Sequence, residues 1–335
     1  MIMAECEYSI EKYNDTYERI WDEFVLNSSV NGTFLHTRRF LNYHCINRFE
    51  DYSYIVFDKC GNIAAVYPGN KKTEGADIIF VSHEGSTFGG PVIGKKFYST
   101  HKVIDINNIF ENKIREKGFN KIILKPTPSL FSSESADLIE YVLYYGNYNT
   151  YNELNSYIDF RDYKENILAN FAQGKRTNVN NCLKLGIRLE TLSINDQIME
   201  FYGVLCETLK KYGKTPIHSI DELIDFKKNR LKEECEFFGA YLNGKMIAGS
   251  MMFYFRNVKV AHTQYLCALQ EYNTLSPMTF MYYAMIKDSR DKGYDKISFG
   301  ISSEHKGKEL NFGLTKSKEA FGCKHSLNKI WYKNI

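Results

Sequence analysis

FFGAYLNGKMIAGSMMFY, residues 237–254, is the stretch from which the rest of the chain can be read. Two apolar, β-prone runs flank Asn243-Gly244. That dipeptide is a strong signal for a two-residue type I′ hairpin, because both turn positions need a left-handed backbone. The spacing predicts strands over 236–242, 245–255 and 258–267, a three-stranded antiparallel meander. A helix is predicted over 277–292, with Pro277 in its first turn and Gly293 just past its end. A buried strand over 296–299, a helix over 310–320 and a strand over 327–332 follow. Upstream, the pattern predicts a helical stretch over 164–184 and a strand over 187–191. A helix over 196–211 carries Ile198, Phe201, Tyr202, Leu205 and Leu209 on one face. Another over 219–231 opens on the capping box Ser219-x-x-Glu222.

The first half repeats this order. Helices are predicted over 17–26, with Ile20, Trp21, Phe24 and Val25 as the apolar stripe, and over 37–47. Strands follow over 52–57, 63–67 and 78–81. A helix over 98–117 is capped by Gly118, and a strand over 121–124 is stopped by Pro126 and Pro128. Further strands are expected over 141–145 and 157–160. The element order thus occurs twice, with the boundary near 152–162. The expected domains are 1–155 and 156–335, with the strand at about 326–335 packing back on the first. The fold class is α/β (α+β), each half a mixed, mostly antiparallel sheet flanked by helices.

Composition narrows the classes. The chain has 335 residues, 44% hydrophobic, 25% charged, with 25 Tyr, 23 Phe and 6 Pro. These values exclude collagen-like and Pro-rich disordered chains. A net charge of +3 gives no broad basic footprint, and DNA is not an expected partner. The eight Cys, at 6, 45, 60, 182, 206, 235, 267 and 323, contain no Cys-x-x-Cys pair. No zinc site is expected, and the thiols read as free in a reducing cytoplasm. The amino-terminal residues lack the basic and apolar regions of a signal peptide. The most apolar run, 245–255, is too short to cross a bilayer, so any membrane contact is expected to be peripheral. Walker A, Rossmann and His-Glu-x-x-His motifs do not occur.

Several local patterns carry chemistry. VSHEGSTFGGPVIG (81–94) places His83 and Glu84 in a Gly-rich loop with Gly85, Gly89 and Gly90. Read functionally, this is a loop at a cleft, with His83 as a proton acceptor and Glu84, Gly89 and Gly90 at the substrate. Read blandly, it is a turn where Gly supplies positive φ. GKRTNVNNCLKLGIRL (174–189) holds Lys175, Arg176, Lys184 and Arg188 with no acid among residues 175–188. Such a run recognises phosphate or is a solvated helix face. Glu304 follows a predicted strand end and is a candidate base.

The longest pattern is SFGISSEHKGKELNFGLTKSKEAFGCK (298–324). It resembles the Phe-Gly-x-Ser-x-Glu…Leu-Asn…Lys-Glu-x-Phe-Gly signature of the FemAB superfamily, whose architecture is a tandem pair of GNAT folds. The element order, the loop at 81–94 and the basic helix at 174–189 resemble the same group. The resemblance implies an N-acyltransferase of cell-envelope or polysaccharide biosynthesis. An acyl group, acetyl first, passes from acyl-CoA as co-substrate to the amine of an amino sugar or a nucleotide- or lipid-linked precursor. Aminoacyl-tRNA is the alternative donor, and a catalytically silent sugar- or peptide-binding module is the alternative class. Metal is not implied. By position, the resemblance implies catalytic roles for Glu304 and His83. It implies substrate contacts for Arg38, Arg39, Arg176, Gln264, Tyr265, Ser302 and Lys318, and donor contacts for Ser276 and Met278. Two departures stand out: Ser298 occupies a position that is commonly Asp, and the Gly-rich pyrophosphate loop of ordinary GNAT domains precedes neither central helix.

Overall fold

The computed structural model describes residues 7–44 and 48–335. Cys6 and Cys45, and the end of the helix expected to reach Asn47, lie outside the described residues. The chain forms two units, Met1–Asn152 with Asn328–Ile335, and Glu153–Leu327.

In the first unit, β1 (Tyr8–Lys12) precedes α1 (Glu18–Glu23) and the single turn α2 (Arg38–Leu41). Then come β2 (Glu50–Asp51), β3 (Tyr54–Asp58), β4 (Ile63–Tyr67), β5 (Asn70–Glu74) and β6 (Asp77–Val81). The short β7 (Val92–Ile93) leads to α3 (Thr100–Glu116), β8 (Lys121–Leu124), α4 (Asp137–Tyr145) and the first part of β9 (Asn149–Asp159). One sheet runs β1-β3-β4-β7; in the other, β8 lies beside the parallel β6, followed by β5 and β2. A parallel pair needs a crossover, and α3 supplies it. The helix buries Val103, Ile106, Phe110 and Ile114 at helical spacing. The Phe110 ring lies 3.8 Å from that of Tyr67, stacked within 4°.

In the second unit, α5 (Gln173–Lys184) and β10 (Arg188–Leu192) precede α6 (Asn195–Lys210) and α7 (Ile220–Asp225). The meander is β11 (Cys235–Leu242), β12 (Lys245–Phe255) and β13 (Val260–Ala268). Asn243 and Gly244 take φ of 51° and 78°, the left-handed pair that a type I′ turn requires. The crossover α8 (Pro277–Asp291) leads to β14 (Lys296–Ile301). A small hairpin, β15 (Ser303–Glu304) and β16 (Glu309–Leu310), precedes α9 (Phe312–Glu319) and β17 (Lys324–Asn334). Strand order is β10-β11-β12-β13-β14-β9. Helix α6 lies against β12 so closely that a Cβ on Gly249 would stand 2.6 Å from the Phe201 ring.

Three local expectations need correction, and one strand was not expected. Residues 141–145 are not a strand but the end of α4. Ile139, Val142 and Leu143 form its buried stripe, while Tyr141, Tyr144 and Tyr145 are exposed, so helical period overrode tyrosine's β preference. The helix expected from 37 shortens to Arg38–Leu41. The stretch 164–184 is helical only from Gln173, after a short 3-10 turn at Ile167–Asn170. The polar strand β5 had no apolar alternation to announce it; it pairs with β6 through backbone bonds.

Asn328–Ile335 completes the first unit. Trp331 pairs with Leu124 and Lys333 with Ile122, so this part of β17 covers the free edge of β8. Lys333 Nζ donates to the buried Glu111 carboxylate on α3 at 2.7 Å, and Asn107 donates to it at 3.0 Å. Removing one partner of a buried ion pair strands the other charge. Glu111→Leu is therefore expected to destabilise the first unit by about 3 kcal/mol. Adding Lys333→Met should recover part of that loss, and urea unfolding of the two single variants and the double variant checks it.

Candidate functional site

The second unit contains a fork between two parallel strands. β13 and β14 pair from Val260↔Lys296 to His262↔Ser298 and then part. The fork coincides with a β-bulge on β13. Met251 opposes Tyr265 and Met252 opposes Thr263, which leaves Gln264 without an opposite number on β12. A bulge turns a strand out of its ladder, and here it parts β13 from its neighbour. The groove that opens has a volume of about 410 Å³. Thr263, Gln264 and Leu266 line one wall, with Phe299, Ile301 and Lys318 opposite. Lys211, Tyr212, Asn273 and Met278 also reach it.

Parting strands leaves backbone carbonyls without ladder partners. Lys318 meets them. Its Nζ donates to Gly300 O at 2.9 Å, Ile301 O at 3.0 Å and Ser302 Oγ at 2.9 Å. The side chain is 1% exposed, and burial pushes its pKa down to about 8. A protonated amine has three N–H donors and a neutral one two, so this arrangement suits the cation. Beneath the fork, His262 Nδ1 lies 3.1 Å from Ser298 Oγ, and Ser298 Oγ donates to Asn155 Oδ1 at 3.0 Å. Burial, aided by the Lys318 charge, lowers the His262 pKa to about 4, so the ring is neutral at pH 7.

Helix α8 begins beside this groove. Ser276 has φ 58° and Pro277 follows it. The N–H groups of Thr279 and Phe280 both turn back to Ser276 O, at 2.9 and 3.3 Å. Ser276 does not line the groove; it borders a separate hollow of about 330 Å³ with Asn178, Asn181 and Lys184. Any anion there meets side-chain amides and an ammonium more than a backbone cradle.

The corresponding fork in the first unit is closed. β6 and β8 pair to Val81↔Ile123. The Gly-rich loop then enters the gap. Gly89 and Gly90 donate to Lys125 O at 2.9 and 3.3 Å, and Lys125 Nζ donates to His83 O and Ser86 O at 3.2 and 2.8 Å. A Cβ on Gly89 would stand 2.9 Å from the Ser82 backbone, and Gly90 has φ +102°. Glycine is what lets the loop lie between the strands.

Beside the loop is a cavity of about 560 Å³ lined by Lys12, Tyr13, Arg38, Asn42, Asp51 and His83, among others. Arg38 is buried, its guanidinium 3.7 Å from the centre of the Tyr13 ring. It donates to Ser53 Oγ at 3.1 Å, Asn42 Oδ1 at 2.9 Å and the Asp51 carboxylate. Burial pushes the Asp51 pKa up, but the Arg38 charge and the Ser53 N–H outweigh it and hold the carboxyl below its usual range. His83 is 3% exposed, with no hydrogen-bond partner at Nδ1. Burial lowers its pKa to about 3, so it is a neutral, weak proton acceptor.

Of the expected site residues, Gln264, Met278 and Lys318 line the open groove, and Ser302 holds Lys318. Tyr265 is tied elsewhere: its hydroxyl lies 2.7 Å from His218 Nδ1, and burial raises its pKa to about 12. Glu304 is exposed on the β15–β16 hairpin and is not among the groove residues. Arg176 is exposed on α5; its neighbour Lys175 is the one that reaches α9, donating to Ser317 Oγ at 2.9 Å. Arg39 donates its backbone N–H to Asp22 at 3.2 Å. Glu84 accepts from Asn70 at 3.1 Å and pairs with Lys72 at 2.8 Å. Sequence reasoning missed His262, Asn155, Asp51 and Lys125. Each is a lone polar residue in or beside a strand, and only the pairing register reveals its partner.

Asp51→Asn tests the first-unit cluster. About a third of the Asp51 side chain stays exposed, so the expected loss is about 2 kcal/mol at pH 7, below that of a fully buried pair. The folded pKa is depressed, so the stabilisation is present above the unfolded carboxylate pKa and disappears as pH falls through the folded value. Unfolding free energies of native and variant protein should therefore converge at low pH.

Residues 170–307 match the acetyltransferase (GNAT) domain family. No curated protein matches the chain. Among solved structures, FemX is similar over 97% of both chains, with 13% identity and a TM-score of 0.70. The C-terminal domain of a putative lysylphosphatidylglycerol synthetase from Agrobacterium fabrum is similar over 96% of this chain and 93% of its own, with 11% identity and a TM-score of 0.62. A tandem GNAT protein from the clavulanic acid biosynthesis pathway is similar over 98% of both chains, with 9% identity and a TM-score of 0.57. At these identities the likeness is one of fold.

Proposed function

From a chain of FemAB-like tandem GNAT fold, whose second unit carries the acetyltransferase (GNAT) domain match, we propose an N-acyltransferase that works in the β13–β14 groove. The observation that carries this reading is the open fork with a buried ammonium in its wall. The acyl carbonyl lies along the parted edge of β13, and an amine attacks it directly. Negative charge grows on the carbonyl oxygen as the tetrahedral intermediate forms. Its collapse keeps the new C–N bond and breaks the bond to the donor, expelling the CoA thiolate or, for aminoacyl-tRNA, the ribose oxygen, which takes up the proton that the amine gives to water. A preorganised positive charge stabilises that oxyanion, and Lys318 acts through its charge alone, because its three N–H groups are held by Gly300, Ile301 and Ser302. Gln264, the bulge residue, offers backbone and side-chain groups from the other wall.

Among the described residues that line the groove there is no carboxylate and no histidine. The attacking amine therefore arrives as the free base or loses its proton to water. Acyl-CoA is the first donor, with its phosphates toward the hollow at Ser276, Lys184, Asn178 and Asn181. Aminoacyl-tRNA is the second. It is favoured by the sparse backbone donors at the start of α8 and by the fold shared with a lysylphosphatidylglycerol synthetase domain. The acceptor in this reading is an amine on an amino sugar or envelope precursor.

Calorimetric titration with acetyl-CoA, with free CoA as comparison, tests the donor. Saturable micromolar binding supports acyl-CoA; binding of neither moves the assignment to charged tRNA, tested next. Once a donor is found, Lys318→Met protein shown by circular dichroism to be folded is expected to have kcat/KM lowered by about 10²- to 10³-fold, with a separate loss of stability because the Gly300 and Ile301 carbonyls lose their donor. As the active form is the cation, kcat should fall as pH rises through about 8. A rate that instead climbs through that pH would reverse the role of Lys318 to that of a base.

A further inference from the structure

The groove is set by backbone, so what holds that backbone matters. Ser298 sits at the last paired rung of the fork, is fully buried and uses every hydrogen-bonding position it has. A hydroxyl has one proton and two acceptor sites. The proton goes to Asn155 Oδ1 on β9, whose amide in turn donates to Ser326 Oγ at 3.0 Å. One acceptor site takes the Gly300 N–H at 3.3 Å. The other faces His262 Nδ1 at 3.1 Å. With its only proton committed to Asn155, Ser298 can only accept from His262. The ring is therefore the neutral Nδ1–H tautomer. One hydroxyl ties β9, β14 and β13 together at the point where the last two separate.

Gly300 is the next link. Its φ is +68°, a left-handed conformation that breaks the β14 ladder, and the register between β14 and β9 slips at the same place. Its N–H is held by Ser298 and its carbonyl by Lys318 Nζ. The residue is gripped on both sides, so the direction of its carbonyl depends on Ser298. Lys318, with three donors and three fixed acceptors, takes its place from that carbonyl.

We propose that Ser298, fixed by His262 and Asn155, is a positioning residue that acts through Gly300 to hold the Lys318 ammonium at the wall of the groove. The inference rests on the groove being the place of acyl transfer, but its first test does not. The three hydrogen-bond partners of Lys318 are neutral acceptors, and the one titratable group that acts on it is the Cys323 thiol, whose own pKa burial pushes up to about 12, so the loss of a partner changes how readily the amine reacts.

The test is the rate at which Lys318 is acetylated by dilute acetic anhydride across pH 6–10, read by peptide mass spectrometry on the whole chain. In the native protein the midpoint is expected at about 8. In Ser298→Ala the Gly300 carbonyl loses its hold and the ammonium loses stabilisation, so labelling at pH 7 should rise about threefold. His262→Leu should behave like Ser298→Ala, whereas His262→Gln, which keeps a side-chain N–H, should stay near the native rate. Unchanged Lys318 labelling in folded Ser298→Ala, or in folded His262→Leu should the first variant not fold, overturns the proposal and leaves Ser298 a packing residue. With a donor in hand, Ser298→Ala should lower kcat about tenfold with donor KM unchanged, since only the transition-state charge feels Lys318. A labelling change without any transfer activity would keep the positioning role and remove the acyltransferase reading.

Discussion

The second unit is organised around one constraint: two parallel strands stop pairing in the middle of a sheet, and their backbone groups still need partners. A bulge at Gln264 on one strand and a left-handed Gly300 on the other force the separation. The unpaired carbonyls of Gly300 and Ile301 are then served by a lysine from the following helix. Desolvating an ammonium is costly unless all its protons are placed. Lys318 meets that condition, and the same geometry brings a positive charge to the groove wall. The structural need and the chemical asset are one interaction.

The first unit shows the alternative solution to the same problem. Its parallel pair also stops, yet here a Gly-rich loop lies in the gap, with Lys125 fastening it through the carbonyls of His83 and Ser86. The duplicated fold thus keeps an open version and a filled version of one feature. The cluster of Arg38, Asp51 and His83 belongs to the filled version. Its charges are paired with one another, and its histidine is held neutral by burial.

Much of this was legible in the order of residues, because it depends on short-range rules. Asn243-Gly244 announces its hairpin, Pro277 and Gly293 bracket a helix, and the repeat of elements points to a tandem GNAT architecture, which the fold comparisons support. Lys318 was reached by its place in a signature, not by its environment. In residues 141–145 tyrosine's preference for strands competes with a helical stripe of Ile139, Val142 and Leu143, and the stripe governs. The bridge from His262 through Ser298 to Asn155 could not be read at all. It joins residues 143 apart at its widest span, and nothing in the sequence sets the register that brings them together.

The return of residues Asn328–Ile335 to the first unit sets a timetable for synthesis. When the ribosome has made residues up to Tyr145, α3 and α4 are available, but β8 still has one bare edge in its sheet and Glu111 is a buried carboxylate without its lysine. Both are supplied only after the whole second unit has been translated. The earlier-made half of the molecule is therefore the later one to be finished, and an exposed strand edge must be kept from other chains in the interval.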